Sequence, residues 1–124
     1  MTVVDRVRAI VAEALFVSPE DVQPDMSLMR DLGAESIDFL DILFRLEKEF
    51  GVSLTKNDIE RRAKGSLADS EFAIDGRLTV EALSRLATIM PEVDREALRP
   101  GLQVRDIPSL FNVKTFARLV EQQL

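Results

Sequence analysis

Apolar residues recur at helical spacing along three stretches of the 124-residue chain, one at each end and one before the middle. The first, residues 3–15, follows a Thr2–Asp5 capping pair, and the last begins after Asn112 and extends to about residue 123. The inward positions of these two stretches are Val3, Val7, Ile10, Val11 and Ala14, then Val113, Phe116, Ala117 and Val120. The pattern predicts an all-α fold, a small antiparallel helical bundle.

The middle stretch, residues 36–50, has apolar side chains on two opposite sides when they are placed at about 100° per residue. One side is an ordinary core stripe of Phe39, Ile42, Leu43, Leu46 and Phe50. The other side carries Ile37, Leu40 and Phe44, with charged residues around them. Two plainer explanations exist: scattered exposed apolar residues are common on proteins, or the inserted segment described below covers these three residues. We interpret this second stripe as a docking surface for partner proteins.

A serine hydroxyl stands where the middle helix is predicted to begin. Gly33 follows Asp31 and Leu32 and suits a turn that a side chain would disfavour, and the helical pattern starts at Ser36. A helix N-terminus offers unpaired N–H groups and the positive end of the helix dipole, which favour an anion. A phosphodiester built on Ser36 is therefore well placed. The plainer alternative is that Ser36 only caps the helix.

The chain contains no cysteine and no histidine. Without cysteine, neither a disulfide framework nor a thiolate metal site is possible. Without histidine, the commonest general base and the commonest metal ligand are both missing, so a serine hydrolase built on Ser36 would need an unusual base. We therefore expect no catalytic residue and no metal ligand in this protein.

Length and charge favour one small domain with an acidic surface. A chain of 124 residues that is 46% hydrophobic is long enough for a single core. Residues 1–60 carry thirteen acidic and six basic side chains, a net charge of −7, whereas residues 61–124 carry nine and ten, a net of +1. Such an acidic half repels nucleic acid and attracts basic partners. No apolar run approaches the roughly 20 residues of a membrane span, and the start MTVVDRVRAI lacks the apolar region of a signal peptide. We expect a cytoplasmic monomer that binds no nucleic acid and does not insert into membranes.

Residues 31–38, DLGAESID, and residues 46–52, LEKEFGV, resemble the acyl carrier protein family without a gap. In that family the serine after the Gly-x-acid turn carries 4′-phosphopantetheine, which a phosphopantetheinyl transferase attaches. The resemblance implies this covalent cofactor on Ser36, acyl chains held on it as thioesters, and acyl-transfer and acyl-modifying enzymes as partners. It implies a partner-docking site on the helix that follows, made of Glu35, Ile37, Asp38, Leu40, Asp41 and Phe44.

The chain departs from the usual family pattern at three positions. Glu35 stands where the family usually has aspartate, and Arg45 and Lys48 interrupt a helix that is usually more uniformly acidic. Residues 37–42, IDFLDI, are also similar to specialised carriers that handle very long acyl chains for lipid A. The resemblance implies a carrier for fatty acid or lipid biosynthesis, with partners that differ from those of a housekeeping carrier.

The segment from about residue 56 to 105 is longer than the connection that this family usually has before its closing helices. It is interpreted as an insertion within a single acyl-carrier-like domain, residues 1–124. Thr55 and Asp58 predict a short helix that ends near Gly65, and Asp75-Gly76 predicts a tight turn with a small hairpin. Thr79 predicts a helix to residue 90, with an inward stripe of Val80, Leu83, Leu86, Ala87 and Met90.

Two roles are open for this insertion. It can be a specificity device that lengthens the space for an acyl chain and offers a basic surface of Arg61, Arg62, Arg77 and Arg85 to a dedicated partner. It can equally be a decoration that only stabilises the fold, because long insertions are thermodynamically tolerated.

Other functions share these features. A peptidyl or polyketide carrier has the same serine and fold, and Ala34 with Glu35 favours the acyl type over the peptidyl type. From a different class, the chain can be a helical interaction module in which Ser36 is never modified. An enzyme with Ser36 as nucleophile is the weakest of these readings, because the sequence offers it no histidine as a base.

Overall fold

The computed structural model describes residues 2–124, and it confirms the predicted helical fold with one small hairpin. The α-helices are α1 (Val3–Leu15), α2 (Ser36–Phe50), α3 (Lys56–Lys64), α4 (Asp69–Phe72), α5 (Val80–Ile89) and α6 (Val113–Glu121). The strands are β1 (Ala73–Ile74) and β2 (Arg77–Leu78), and 3-10 segments cover Pro19–Asp21, Arg95–Ala97 and Val104–Leu110. The chain divides into two compact units, one up to Leu54 together with Pro108–Leu124, the other Thr55–Ile107.

Helix α1 begins with the predicted capping pair. The Asp5 N–H donates to the Thr2 hydroxyl at 3.1 Å, and the Asp5 carboxylate accepts the Thr2 N–H at 3.3 Å. Hydrogen bonding from Thr2 lowers the pKa of Asp5 below its ordinary value. The cap is therefore fully present above the usual pKa of an aspartate and is lost as the pH falls through the lowered value.

The first unit packs α1 against α2 and α6. Arg6 of α1 pairs with Glu49 of α2 at 2.9 Å, and Glu13 pairs with Arg45 at 3.2 Å, so the two helices run antiparallel. Between α2 and α6 the core is aromatic: the Phe116 ring centroid lies 5.5 Å from that of Phe39 and 5.0 Å from that of Phe111. The fully buried Phe116 thus joins the closing helix to the helix that Ser36 opens.

Most predicted core positions of the first unit are buried, with three exceptions. Val3 and Ile10 of α1 are only half-buried. Phe50 was assigned to the core stripe of α2, but it is also half-buried, because it lies at the end of the helix under the Arg6 guanidinium, 4.3 Å from the ring centroid. Helix α6 ends two residues earlier than expected, and the Gln123 side chain instead exchanges hydrogen bonds of 3.0 and 2.8 Å with the Ser53 backbone.

The second unit contains the predicted short helix, hairpin and longer helix. Thr55 and Asp58 cap α3, and Asp75-Gly76 connects β1 to β2 with positive φ at both residues, as a tight primed turn requires. Helix α5 packs against α3, α4 and β2.

The predicted inward stripe of α5 is wrong at Val80, which is 77% exposed. The buried residues of this helix are Ala82, Leu83 and Leu86, followed by Met90 at the cap. At about 100° per residue, the centre of that buried face lies roughly a quarter turn away from Val80. Ala87, on the same edge of that face as Val80, is half-buried.

Arg85 of α5 has a structural role that the sequence did not indicate. Its guanidinium donates to the carbonyl oxygens of Ala63 and Arg62, both at 2.9 Å, at the C-terminal end of α3. A cation at that end satisfies orphan carbonyls and complements the helix dipole. The expected basic partner surface therefore lacks Arg85, which is half-buried and already hydrogen-bonded.

Candidate functional site

Ser36 is the first residue of α2 and is exposed to solvent. The N-cap is not Ser36 but Glu35, whose backbone is extended and whose N–H donates to the Asp38 carboxylate at 2.9 Å. The alternative that Ser36 serves only as the helix cap is therefore wrong, because Glu35 occupies that position. The Ser36 hydroxyl remains accessible to a reagent from outside.

The turn before Ser36 has the conformation that its sequence predicts. Gly33 has φ +73°, a value that side chains disfavour, and no atom lies within 4 Å of the position where a Cβ would stand. Glycine is needed here for the backbone conformation rather than for space. The turn ends at Ala34, which is buried and whose N–H donates to the Leu28 carbonyl at 2.9 Å.

Ser27 anchors the start of this loop. Its hydroxyl donates to the Ser109 carbonyl at 2.7 Å and accepts the Arg30 N–H at 3.2 Å, while the side chain is 5% exposed. The Asp31 carboxylate accepts the Ser27 N–H at 2.8 Å, and Leu28 donates its N–H to the Phe111 carbonyl at 3.1 Å. The loop that leads to Ser36 is therefore hydrogen-bonded to residues 109–111, next to the start of α6.

We expect Ser27→Ala to lower the free energy of unfolding by about 1–3 kcal/mol, because it leaves the half-buried Ser109 carbonyl without the hydroxyl donor of the buried Ser27. Chemical denaturation followed by circular dichroism measures the effect. Ser18→Ala is the matched control, since Ser18 is exposed and its side chain makes no cap hydrogen bond. Equal stability of the two variants would show that Ser27 does not anchor the loop.

The surroundings of Ser36 favour an anion attached to it. The first N–H groups of an α-helix have no partner within the helix, and the 15-residue α2 directs the positive end of its dipole toward this point. A phosphodiester on the Ser36 oxygen would lie in that field. The arrangement suits attachment of a phosphate-linked group, and the chain has no histidine that could act as a base on the hydroxyl.

The predicted second stripe of α2 lies on the surface. Ile37 is 71% exposed, Phe44 is 70% exposed and Leu40 is 43% exposed, whereas Phe39, Ile42, Leu43 and Leu46 are buried. Of the acidic residues assigned to the same site, Glu35 is exposed and Asp38 and Asp41 are half-buried. We call Ile37, Leu40 and Phe44 the exposed stripe.

Arg45 changes the charge beside the exposed stripe. Its guanidinium pairs with Asp41 at 3.1 Å and with Glu13 of α1 at 3.2 Å. The hydrogen bond that Arg45 donates to Asp41, together with the charges of both carboxylates, raises the pKa of Arg45. Asp41 is therefore ion-paired within the protein, and the carboxylates closest to Ser36 in sequence are those of Glu35 and Asp38, of which Asp38 accepts the Glu35 N–H.

Sequence reasoning missed two features of this region. Ser27 and its partner Ser109 are separated by 82 residues, and a serine between two apolar residues carries no spacing signal. Phe16, directly after α1, was not assigned to any site, although it is the most exposed of the large hydrophobic residues described. A large apolar residue just after the last helical position, where glycine is usual, is the signal that could have drawn attention to it.

Residues 5–69 match the model of the family described as "Phosphopantetheine attachment site". The match contains the turn, Ser36 and the whole of α2.

Three similar curated proteins all carry the name acyl carrier protein. The acyl carrier protein of Nitratidesulfovibrio vulgaris is 38% identical over 64 residues, which cover 52% of this chain and 84% of the relative. That of Thermosynechococcus vestitus is 41% identical over 59 residues, covering 48% and 73%, and that of Chlamydia trachomatis is 39% identical over 61 residues, covering 49% and 79%. The similarity therefore spans most of each relative and about half of this chain.

Proposed function

The chain belongs to the acyl carrier protein family with its phosphopantetheine attachment site, and we propose from this that Ser36 is the residue that carries the 4′-phosphopantetheine arm. The protein is a carrier and not an enzyme. The observation that most supports Ser36 is its place as the exposed first residue of α2, directly after a rigid Gly33 turn. When attached, the arm supplies a terminal thiol on which an acyl group is held as a thioester.

The residues around Ser36 fit such an arm. The hydroxyl is exposed, so a transferase can reach it, and the N-terminal N–H groups of α2 would stabilise a phosphate attached to its oxygen. The loop from Ser27 to Ala34 holds this start of the helix in place through its hydrogen bonds to residues 109–111. The chain therefore positions and presents the arm, and its own side chains perform no bond-making step.

Partner enzymes, in this proposal, recognise the exposed stripe and the acidic residues around it, Glu35, Asp38 and Asp41. The stripe supplies apolar area, and the carboxylates attract basic residues on a partner. The partners are a phosphopantetheinyl transferase and enzymes that transfer or modify acyl groups. Because the transferase takes the arm from coenzyme A, we also place the protein in the cytoplasm. None of the helices among residues 2–124 is long and apolar enough to cross a bilayer.

We expect Phe44→Ala to weaken transferase binding by about 1–3 kcal/mol with little loss of stability, because the side chain is 70% exposed. Asp38→Lys should act in the same direction through charge. The measurement is the KM of a purified transferase for each carrier variant, beside a thermal melt.

Leu46→Ala is the matched core control on the same helix. Leu46 is fully buried, so its truncation should cost about 2–5 kcal/mol of folding free energy. If Phe44→Ala melted as early as Leu46→Ala, the exposed stripe would be part of the core and not a docking surface.

The acyl group in this proposal belongs to fatty acid or lipid biosynthesis, with a long chain of the kind used for lipid A as the specialised case. We propose that the segment at about residues 56–105 is an insertion that contributes to this specificity. The segment contains capped helices and a hairpin, which support the view that it is a folded element rather than a linker. Each methylene of an acyl chain that is kept from water contributes about 0.8 kcal/mol, so burying a few more methylenes is enough to discriminate between acyl chains of different length.

Replacing residues 56–105 with a short glycine-serine loop should shorten the range of acyl chains that the carrier protects. Both proteins, loaded with the arm and with thioesters of increasing length, are compared by the rate of thioester hydrolysis. The full-length protein should protect long chains better, and the two should agree for short chains. Equal protection at every length would assign the insertion to stability alone.

The proposed function is tested by the intact mass of the protein after incubation with coenzyme A and a promiscuous phosphopantetheinyl transferase. The carrier should gain the mass of one phosphopantetheine group. An unchanged mass would favour the helical interaction module instead. A peptidyl or polyketide carrier would also gain the group, so the acyl species recovered from protein of the native cell separates those alternatives.

A further inference from the structure

Phe16 is held in an unusual backbone conformation with its side chain in solvent. The residue follows α1 with φ 57° and ψ 42°, in the left-handed region, and the ring is 93% exposed. The turn is well formed, since the Val17 N–H donates to the Ala12 carbonyl at 3.0 Å. Glycine is the usual residue at such a helix end because it has no Cβ to crowd the backbone. Folding alone therefore gives no reason for phenylalanine here.

The position of Phe16 relates it to Ser36. Helices α1 and α2 run antiparallel, with Arg6 beside Glu49 at one end and Glu13 beside Arg45 toward the other. Phe16 continues α1 beyond Glu13, and Ser36 begins α2 on the same side of that second pair. Both residues consequently lie at one end of the helix pair, and Arg45 connects α1 to Asp41 on the flank of the exposed stripe.

The charge that follows Phe16 along the chain is negative, because Glu20 and Asp21 in the next 3-10 turn are both exposed. Glu13, before it, has a side chain that is 76% exposed and is paired with Arg45. Val17, next to Phe16, adds apolar area at 38% exposure. An apolar residue with carboxylates around it matches an apolar recess with basic residues at its rim. The same charge pattern surrounds the exposed stripe.

We propose that Phe16 is a second apolar anchor for the phosphopantetheinyl transferase, inserted into a recess with a basic rim while the enzyme acts at Ser36. The inference rests on the proposed function, because it needs a transferase that modifies Ser36. Phe16 contacts the enzyme and takes no part in the chemistry. Its loss therefore weakens docking and leaves the turnover of the docked complex unchanged.

Phe16→Gly tests this inference on the full chain, with Phe16→Asn as a second variant that also tolerates the left-handed conformation. The probe is a purified phosphopantetheinyl transferase with coenzyme A, and the readouts are KM and kcat for the carrier. We expect both variants to raise KM by roughly fivefold to tenfold with kcat within about twofold of the wild type. The melting temperature should stay the same or rise, since glycine suits the position.

Leu124→Ala is the control, because Leu124 is 71% exposed in the same unit and lies outside the proposed surface. Its KM should match the wild type. An unchanged KM for both Phe16 variants, with the wild-type protein fully modified, would overturn the inference alone. If sedimentation then showed a wild-type dimer that Phe16→Gly dissociates, the residue would belong to a self-association surface. A wild-type protein that gains no group would remove the proposed function and this inference together.

Discussion

Phe116→Ala should lower the free energy of unfolding by about 3–5 kcal/mol, one of the largest effects that a single change can have in this protein. The ring is fully buried and contacts both other rings of the aromatic core, Phe39 of α2 and Phe111 before α6. Alanine removes these contacts and leaves a cavity between two helices that cannot fully collapse. Chemical denaturation followed by circular dichroism measures the loss.

Lys114→Ala is the matched control for this prediction, because Lys114 lies on the same helix and is exposed. It should change stability by no more than about 0.5 kcal/mol. A Phe116→Ala protein as stable as this control would contradict the assignment of the aromatic core.

The same substitution should also affect the site. Phe111 belongs to the aromatic core through its ring, and its carbonyl accepts the Leu28 N–H of the loop that leads to Ser36. A less tightly packed aromatic core should therefore leave the loop before Ser36 less firmly held. At temperatures where the variant is still folded, we expect arm attachment to be slower than in the wild type.

Ser36→Ala should abolish arm attachment completely. The alanine removes the only side-chain oxygen at the exposed first position of α2, and the fold should be unaffected because the N-cap position belongs to Glu35 and not to Ser36. Intact mass after incubation with transferase and coenzyme A is the measurement. The stability of the variant should stay within about 0.5 kcal/mol of the wild type, as is usual for exposed positions.

Ser70→Ala is the control for a nonspecific effect, since Ser70 is also an exposed serine in a helix. It should gain one phosphopantetheine group as the wild type does. A Ser36→Ala protein that still gained the group would place the attachment point elsewhere.

The helices themselves could be predicted because their ends carry local signals. Thr2 with Asp5, Thr55 with Asp58, and Asn112 cap the helices that the sequence assigned to them. Helix α2 begins and ends at the predicted residues, since Gly33 and Gly51, both at positive φ, interrupt the chain on either side. Apolar periodicity then gave most buried positions of α2 and α6.

The predictions from sequence were wrong where tertiary packing determines which side chains are buried and what they contact. Val80 is apolar and helical, but the neighbours of α5 bury a face about a quarter turn away. Phe50 lies at a helix end where Arg6 covers it instead of the core. Arg85 binds carbonyls of α3, more than twenty residues away in sequence, which no local pattern reveals.

For the candidate site, a short motif in the sequence identified Ser36 but did not reveal the hydrogen bonds that hold the loop before it. The Gly33 turn and the acidic helix are local, so the sequence and the family resemblance indicate both. The hydrogen bonds from Ser27 to Ser109 and from Leu28 to Phe111 join segments about eighty residues apart. Such long-range contacts depend on the whole fold and leave no periodic signal.

The central claim is that Ser36 carries the arm, and peptide mass spectrometry of protein purified from its native cell tests it most directly. Fragmentation of the peptide that contains residues 31–38 should locate one 4′-phosphopantetheine group on Ser36, either free or with an acyl thioester. A native protein with Ser36 unmodified, or with the group on another serine, would contradict the account.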